Sequence, residues 1–105
     1  MIVLVTVWAP PDQIGEMMKR FAPLSKAQLA EIGIKKWQMF GTMGGKDGNK
    51  AYHLIYTEKE MAEDALREVI RGFVTMWKVP GLRMRVEVLY GFADLASFAA
   101  GWDNL

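Results

Sequence analysis

Four short segments of this chain alternate side chain by side chain, and the two sides of the alternation differ in kind. One side is almost purely apolar: Val3, Val5 and Val7; Trp37 and Met39; Tyr52, Leu54 and Tyr56; Met84, Val86, Val88 and Tyr90. The other mixes apolar and polar groups: Ile2, Leu4, Thr6 and Trp8; Lys36, Gln38 and Phe40; Ala51, His53 and Ile55; Arg83, Arg85, Glu87 and Leu89. A period of two is the signature of extended strands, whose successive side chains point to opposite faces of a sheet. Such a chain has to build a sheet with one fully buried face, and function is expected on the other.

The segments between the strands read as helices. Ala9-Pro10-Pro11 closes the first strand, Ile2 to Trp8, and the prolines pre-set φ for a helix start. From Asp12 to Ala22 the apolar residues Ile14, Met17, Met18 and Phe21 recur at spacings of three and four, as on one helix face, until Pro23. Ser25 to Ile32 reads as a second short helix stopped by Gly33. Ile34 to Thr42 and Asn49 to Thr57 are strands joined by Met43-Gly44-Gly45-Lys46-Asp47-Gly48, a hairpin connection. Thr57-Glu58-Lys59-Glu60 has capping-box spacing and predicts a helix carrying Met61, Ala65, Leu66, Val69, Ile70, Phe73 and Trp77 on one stripe. Met84 to Tyr90 is the last strand, and Phe92 to Ala100 a short apolar C-terminal helix.

This order is β-α-β-β-α-β with a tail, read as a single domain over residues 1–105. Two split β-α-β halves make an α+β ferredoxin-like sandwich: a four-stranded antiparallel sheet, helices on one face, first and third strands central. The helix-free face would then carry Ile2, Leu4, Trp8, Phe40, Ile55 and Leu89. Burying a large apolar side chain is worth about 1.5–3 kcal/mol, so that face calls for a cover, and a second copy in a two-fold dimer is the simplest.

Composition narrows the function classes. Thirteen basic residues against twelve acidic ones give a net charge of +1 with no long block of either sign, so no nucleic acid or anionic membrane surface is expected as a partner. The absence of cysteine removes disulfides, thiolate metal sites and a cysteine nucleophile, and fits a cytoplasmic protein. The apolar run ending at Trp8 is too short for a signal sequence or a membrane span. Gly41-Thr42-Met43-Gly44-Gly45-Lys46-Asp47 fails as a phosphate loop on spacing, on Asp47 in place of Ser/Thr, and on its flanking strands. An RNA-recognition fold needs stacking aromatics on the bare face of its central strands; Lys50-Ala51-Tyr52-His53-Leu54-Ile55-Tyr56 matches its third-strand motif only in part, and the first strand has no aromatic before Trp8.

The element order, the two-sided strand Ile2-Val3-Leu4-Val5-Thr6-Val7-Trp8 and the apolar tail Phe92 to Ala100 resemble the dimeric α/β-barrel superfamily. Its members include small monooxygenase-like, muconolactone-isomerase-like and stress-responsive barrel proteins. The resemblance implies a homodimer whose helix-free sheet faces meet, with a pocket for a small organic ligand between sheet and helices or loops. It also implies cofactor-independent oxygen chemistry or isomerisation on a small aromatic or polyketide-like substrate, or a non-catalytic dimer that binds a metabolite or another protein.

The polar residues placed on the mixed side are the candidates. His53, the only histidine, titrates near neutrality and is the candidate for proton transfer, or else an imidazole satisfied by hydrogen bonds at an interface. Glu87, in an apolar setting, would be a second acid or base; Arg85 could clamp an anionic group bidentately. Both also fit a charge-blunted edge strand or an intersubunit ion pair. Thr6, Trp8 and Gln38 complete the expected substrate-binding set. No metal site and no cofactor are expected; a haem-degrading variant using His53 is the one cofactor-dependent alternative. The eight methionines follow helix and strand periodicity and suggest an adaptable core.

Overall fold

A computed structural model describes residues 1–21, 25–44 and 48–102. Four strands, β1 (Ile2–Ala9), β2 (Ile34–Thr42), β3 (Asn49–Thr57) and β4 (Arg83–Leu89), form one antiparallel sheet in the order β2-β3-β1-β4. The helices are α1 (Ile14–Arg20), α2 (Lys26–Glu31), α3 (Ala62–Val74) and α4 (Phe92–Trp102). Valine and isoleucine dominate β1, whose branched side chains suit a pleated surface, and central position buries it from both sides. Element order and strand order are those of a split β-α-β sandwich, with β1 and β3 central.

The core lies between the sheet and α3. Val3, Val5 and Val7 from β1, Ile34 from β2 and Ile55 from β3 meet Ala65, Val69 and Phe73 of α3 and Met76 of the following 3-10 turn, all buried. Phe73 is the largest side chain buried almost completely, and it fixes where α3 sits. A bulge between Ile34 and Lys36 lets Ile34 face this core while Lys36 faces the other way.

Strand register corrects one expectation. Val3, Val5 and Val7 pair with Ile55, His53 and Ala51, whereas Leu4, Thr6 and Ile2 pair with Leu54, Tyr52 and Tyr56. Ala51, His53 and Ile55 therefore lie on the helix-covered face, and Tyr52, Leu54 and Tyr56 on the helix-free face, the reverse of the sequence reading for β3. A one-residue change in pairing turns every side chain of a strand over, and the hydropathies of Tyr52 and His53 are too close to prevent it. The other three strands keep the expected faces.

Helix starts differ as well. Thr57 ends β3, and its hydroxyl donates to the Met1 carbonyl at 3.0 Å instead of capping α3, which is entered through a 3-10 turn at Lys59–Met61 with no side-chain cap. The capping box forms at Ser25 and Gln28, at the start of α2. The first helix is likewise shorter than expected, with a 3-10 turn at Pro11–Gln13 before Ile14. Pro23 and the Gly45-Lys46-Asp47 part of the hairpin lie outside the described residues; Gly44 and Gly48 beside them take φ of +78° and +79°. On α4, Phe92 and Leu95 are exposed. No described helix is long and apolar enough to cross a membrane.

Candidate functional site

The register divides the expected site residues between two faces. His53 stands on the helix side; Thr6, Trp8, Gln38, Arg85 and Glu87 stand together on the helix-free side. His53 and Glu87 therefore face away from each other across the sheet and form no acid–base pair.

On the helix side His53 is almost fully buried, 4% exposed, within an aromatic cluster. Its ring centroid lies 5.0 Å from that of Phe73, 5.3 Å from Phe21 and 5.8 Å from Trp37, the contacts with Phe73 and Trp37 being edge-to-face. Phe21 comes from the C-terminal end of α1, Phe73 from α3 and Trp37 from β2, so three elements converge on one strand residue. The Trp37 indole Nε1–H donates to His53 Nδ1 at 3.0 Å. An indole N–H can only donate, so Nδ1 is an acceptor and the imidazole proton sits on Nε2. Burial reinforces this state by pushing the imidazole down from its ordinary 6.5 to about 4.

His53 also lines a cavity of about 300 Å³ with Val7, Met17, Met18, Phe21, Met39, Ala51 and Met76. A smaller one of about 170 Å³ shares Val7, Met17 and Ala51 with it and extends toward Met43 and Asn49. Four methionines make this lining soft and adaptable, and Met18 and Met39 are largely exposed, 67% and 57%. The His53 side chain makes no hydrogen bond beyond that to Trp37 among the described residues, and no described buried side-chain nitrogen or oxygen lacks a partner. The Nε2–H therefore has no partner among the described residues, and the ring that carries it lines the cavity. Sequence reasoning missed this lining because it takes one residue set from α1 and another from β2. The available signal was the pair Trp37 and Met39 on the core side of β2, which an in-register hairpin sets opposite Ile55 and His53.

On the helix-free side the pairing lays out four rows, read from β2 to β4: Thr42, Lys50, Trp8, Arg83; Phe40, Tyr52, Thr6, Arg85; Gln38, Leu54, Leu4, Glu87; Lys36, Tyr56, Ile2, Leu89. The guanidinium carbons of Arg83 and Arg85 lie 5.4 and 5.5 Å from the Trp8 ring, and the three line a cavity of about 360 Å³ with Met84. Thr6 is 4% exposed beneath its large neighbours. Tyr56 donates its hydroxyl to Gln38 Oε1 at 3.3 Å, and Lys36 lies over the Tyr56 ring at 5.6 Å. Arg85 and Glu87 form no ion pair with each other. Among the described residues no group of three or more His, Cys, Asp or Glu is placed to hold a metal ion.

No protein-family model and no curated protein matches this chain. Solved structures do show likeness. A candidate PII-like signaling protein from Thermus thermophilus is 19% identical, with 82% of this chain and 83% of that one covered and a TM-score of 0.37. The de novo designed protein Foldit4 is 11% identical over 85% and 97% of the two chains, with a TM-score of 0.41. LarC2, the C-terminal domain of a cyclometallase involved in the synthesis of the NPN cofactor of lactate racemase, is 13% identical over 98% and 88%, with a TM-score of 0.37. At such scores the architecture rests on the strand pairing described above, and nothing about these proteins' ligands is transferred to this chain.

Proposed function

We propose that this protein is a homodimeric small-molecule-binding protein. Its ligand enters the methionine-lined cavity between α1 and the sheet and accepts a hydrogen bond from His53 Nε2–H. The observation that carries the reading is the Trp37–His53 hydrogen bond, which occupies the only imidazole lone pair and leaves a donor on a ring that lines an apolar cavity. Cavities of this size with one placed polar group suit small apolar ligands. A neutral, aromatic molecule with a carbonyl or ether oxygen fits that chemistry.

The same bond argues against proton transfer by His53. With Nδ1 occupied and Nε2 protonated, the ring has no free lone pair for a general base, and among the described residues no carboxylate lines the cavity. Oxygen chemistry or isomerisation would need a second group brought in by the ligand or a partner copy, so binding without turnover is the form of the dimeric-barrel reading that the geometry favours.

The dimer contact is proposed for the apolar end of the helix-free face, where Ile2, Leu4, Leu54, Tyr56 and Leu89 adjoin. A matched ligand pair tests the pocket: 2-acetonaphthone, which has an acceptor oxygen, and 2-isopropylnaphthalene, which has the same shape without one. Calorimetry should find the ketone about tenfold tighter, the worth of one hydrogen bond, and His53→Leu should erase the difference. Equal affinities in the native protein, or no binding of either compound, would overturn the assignment.

A further inference from the structure

The helix-free face is electrically lopsided. Lys36, Arg83 and Arg85 stand on it with one described carboxylate, that of Glu87, and both arginines stand in the two rows nearest the C-terminal end of β1. Those rows also hold Trp8, Tyr52 and Phe40, the last 52% exposed. The next two rows are mostly apolar. A partner copy laid over the whole face would set guanidiniums against apolar side chains or against other guanidiniums, and either arrangement is unfavourable. The cationic end therefore calls for a different occupant from the apolar end.

Two details define that occupant. Arg83 and Arg85, alternate residues of an edge strand, both reach over the indole of Trp8, and neither forms an ion pair among the described residues. Two planar forks converging on an open cavity of about 360 Å³ match the oxygens of a phosphate. Beside them, Tyr52 on β3 and Phe40 on β2 are cross-strand neighbours, placed for a flat ring to stack. Turning β3 over brings Tyr52 and Tyr56 to this face, so that β3 supplies stacking aromatics there while β1 offers none before Trp8.

We propose that this end of the sheet binds a nucleotide unit, its phosphate held by Arg83 and Arg85 and its base stacked on Tyr52 and Phe40. The unit is either a free nucleoside monophosphate or one residue of a single strand. The site lies on the opposite face from the His53 cavity, so it stands or falls independently of the function proposed above.

The test uses the full chain, with AMP, inorganic phosphate and a 5′-fluorescein decamer of riboadenylate as probes, read by calorimetry and fluorescence anisotropy. Arg83→Ala/Arg85→Ala should weaken AMP binding about tenfold or more. For the decamer it should also lower the slope of log K against log salt by about 0.7, the share of the one phosphate no longer neutralised. Tyr52→Leu, which keeps the packing apolar, should weaken AMP but leave phosphate unchanged. Both arginines are exposed, and circular dichroism checks that each variant folds. Decamer binding much tighter than AMP identifies a single strand as the ligand, and equal binding identifies the mononucleotide. Phosphate binding as tightly as AMP overturns base stacking. An AMP affinity indifferent to the double substitution overturns the site, as does a dimer that the double substitution dissociates, since the arginines would then be subunit contacts.

Discussion

A buried histidine held neutral should leave its mark on the acid stability of the whole chain. His53 has a folded-state pKa of about 4 against 6.5 when unperturbed. Below 6.5 the unfolded chain takes up a proton that the folded one refuses, so stability is level above that pH and falls as pH drops from about 6.5 to about 4. Integrating the difference in proton uptake gives a loss of at most about 2 kcal/mol between about pH 8 and pH 5, less in so far as water enters the cavity beside Nε2. For a chain of this size that is a fall in Tm of roughly 8 °C. Urea unfolding followed by circular dichroism at about pH 8, 7, 6 and 5 measures it, and His53→Gln, which cannot titrate, removes the contributions of all other groups by difference. Parallel profiles for the native protein and the variant would refute the reasoning, because they would mean that His53 is protonated as easily in the fold as outside it.

Three further outcomes follow from the packing. Trp37→Phe keeps the aromatic cluster but strands Nδ1 of His53, and should cost about 1–3 kcal/mol in denaturant unfolding; a smaller loss would mean the indole bond is not made in solution. Gly33→Ala should cost about 1–3 kcal/mol by the same assay, since Gly33 has φ of +80° and an added Cβ would come within 2.6 Å of Met61 Cβ; unchanged stability would contradict that backbone. Sedimentation at micromolar concentration should show a dimer that Leu54→Glu dissociates, and a monomeric native protein would end the dimer proposal.

Most of the architecture was legible because it depends on period and on turn chemistry. β2 and β3 begin and end where the alternation and the glycines place them, and the helical stripe of Ala65, Val69 and Phe73 is the one that packs on the sheet. The site was only half legible. Thr6, Trp8, Gln38, Arg85 and Glu87 do share a face, because β1, β2 and β4 each have one clearly apolar side to fix their phase. β3 does not: Tyr52, Leu54 and Tyr56 compete with Ala51, His53 and Ile55, and tyrosine serves either at a wet surface or in a core. What fixes β3 is its hairpin register with β2, a long-range pairing that hydropathy does not encode. The capping box at Thr57 fails for a related reason: the threonine hydroxyl is taken by the Met1 carbonyl, brought there by the pairing of β1 with β3.

With His53 the only histidine in the chain, its ring nitrogens give a single pair of signals in a proton–nitrogen correlation spectrum. At about pH 7 the Trp37 bond requires the neutral tautomer, proton on Nε2 and Nδ1 accepting, and 2-acetonaphthone in the cavity should shift the Nε2 signal while leaving the tautomer unchanged. An imidazolium, a proton on Nδ1, or an Nε2 signal indifferent to the ketone would contradict the account at its centre.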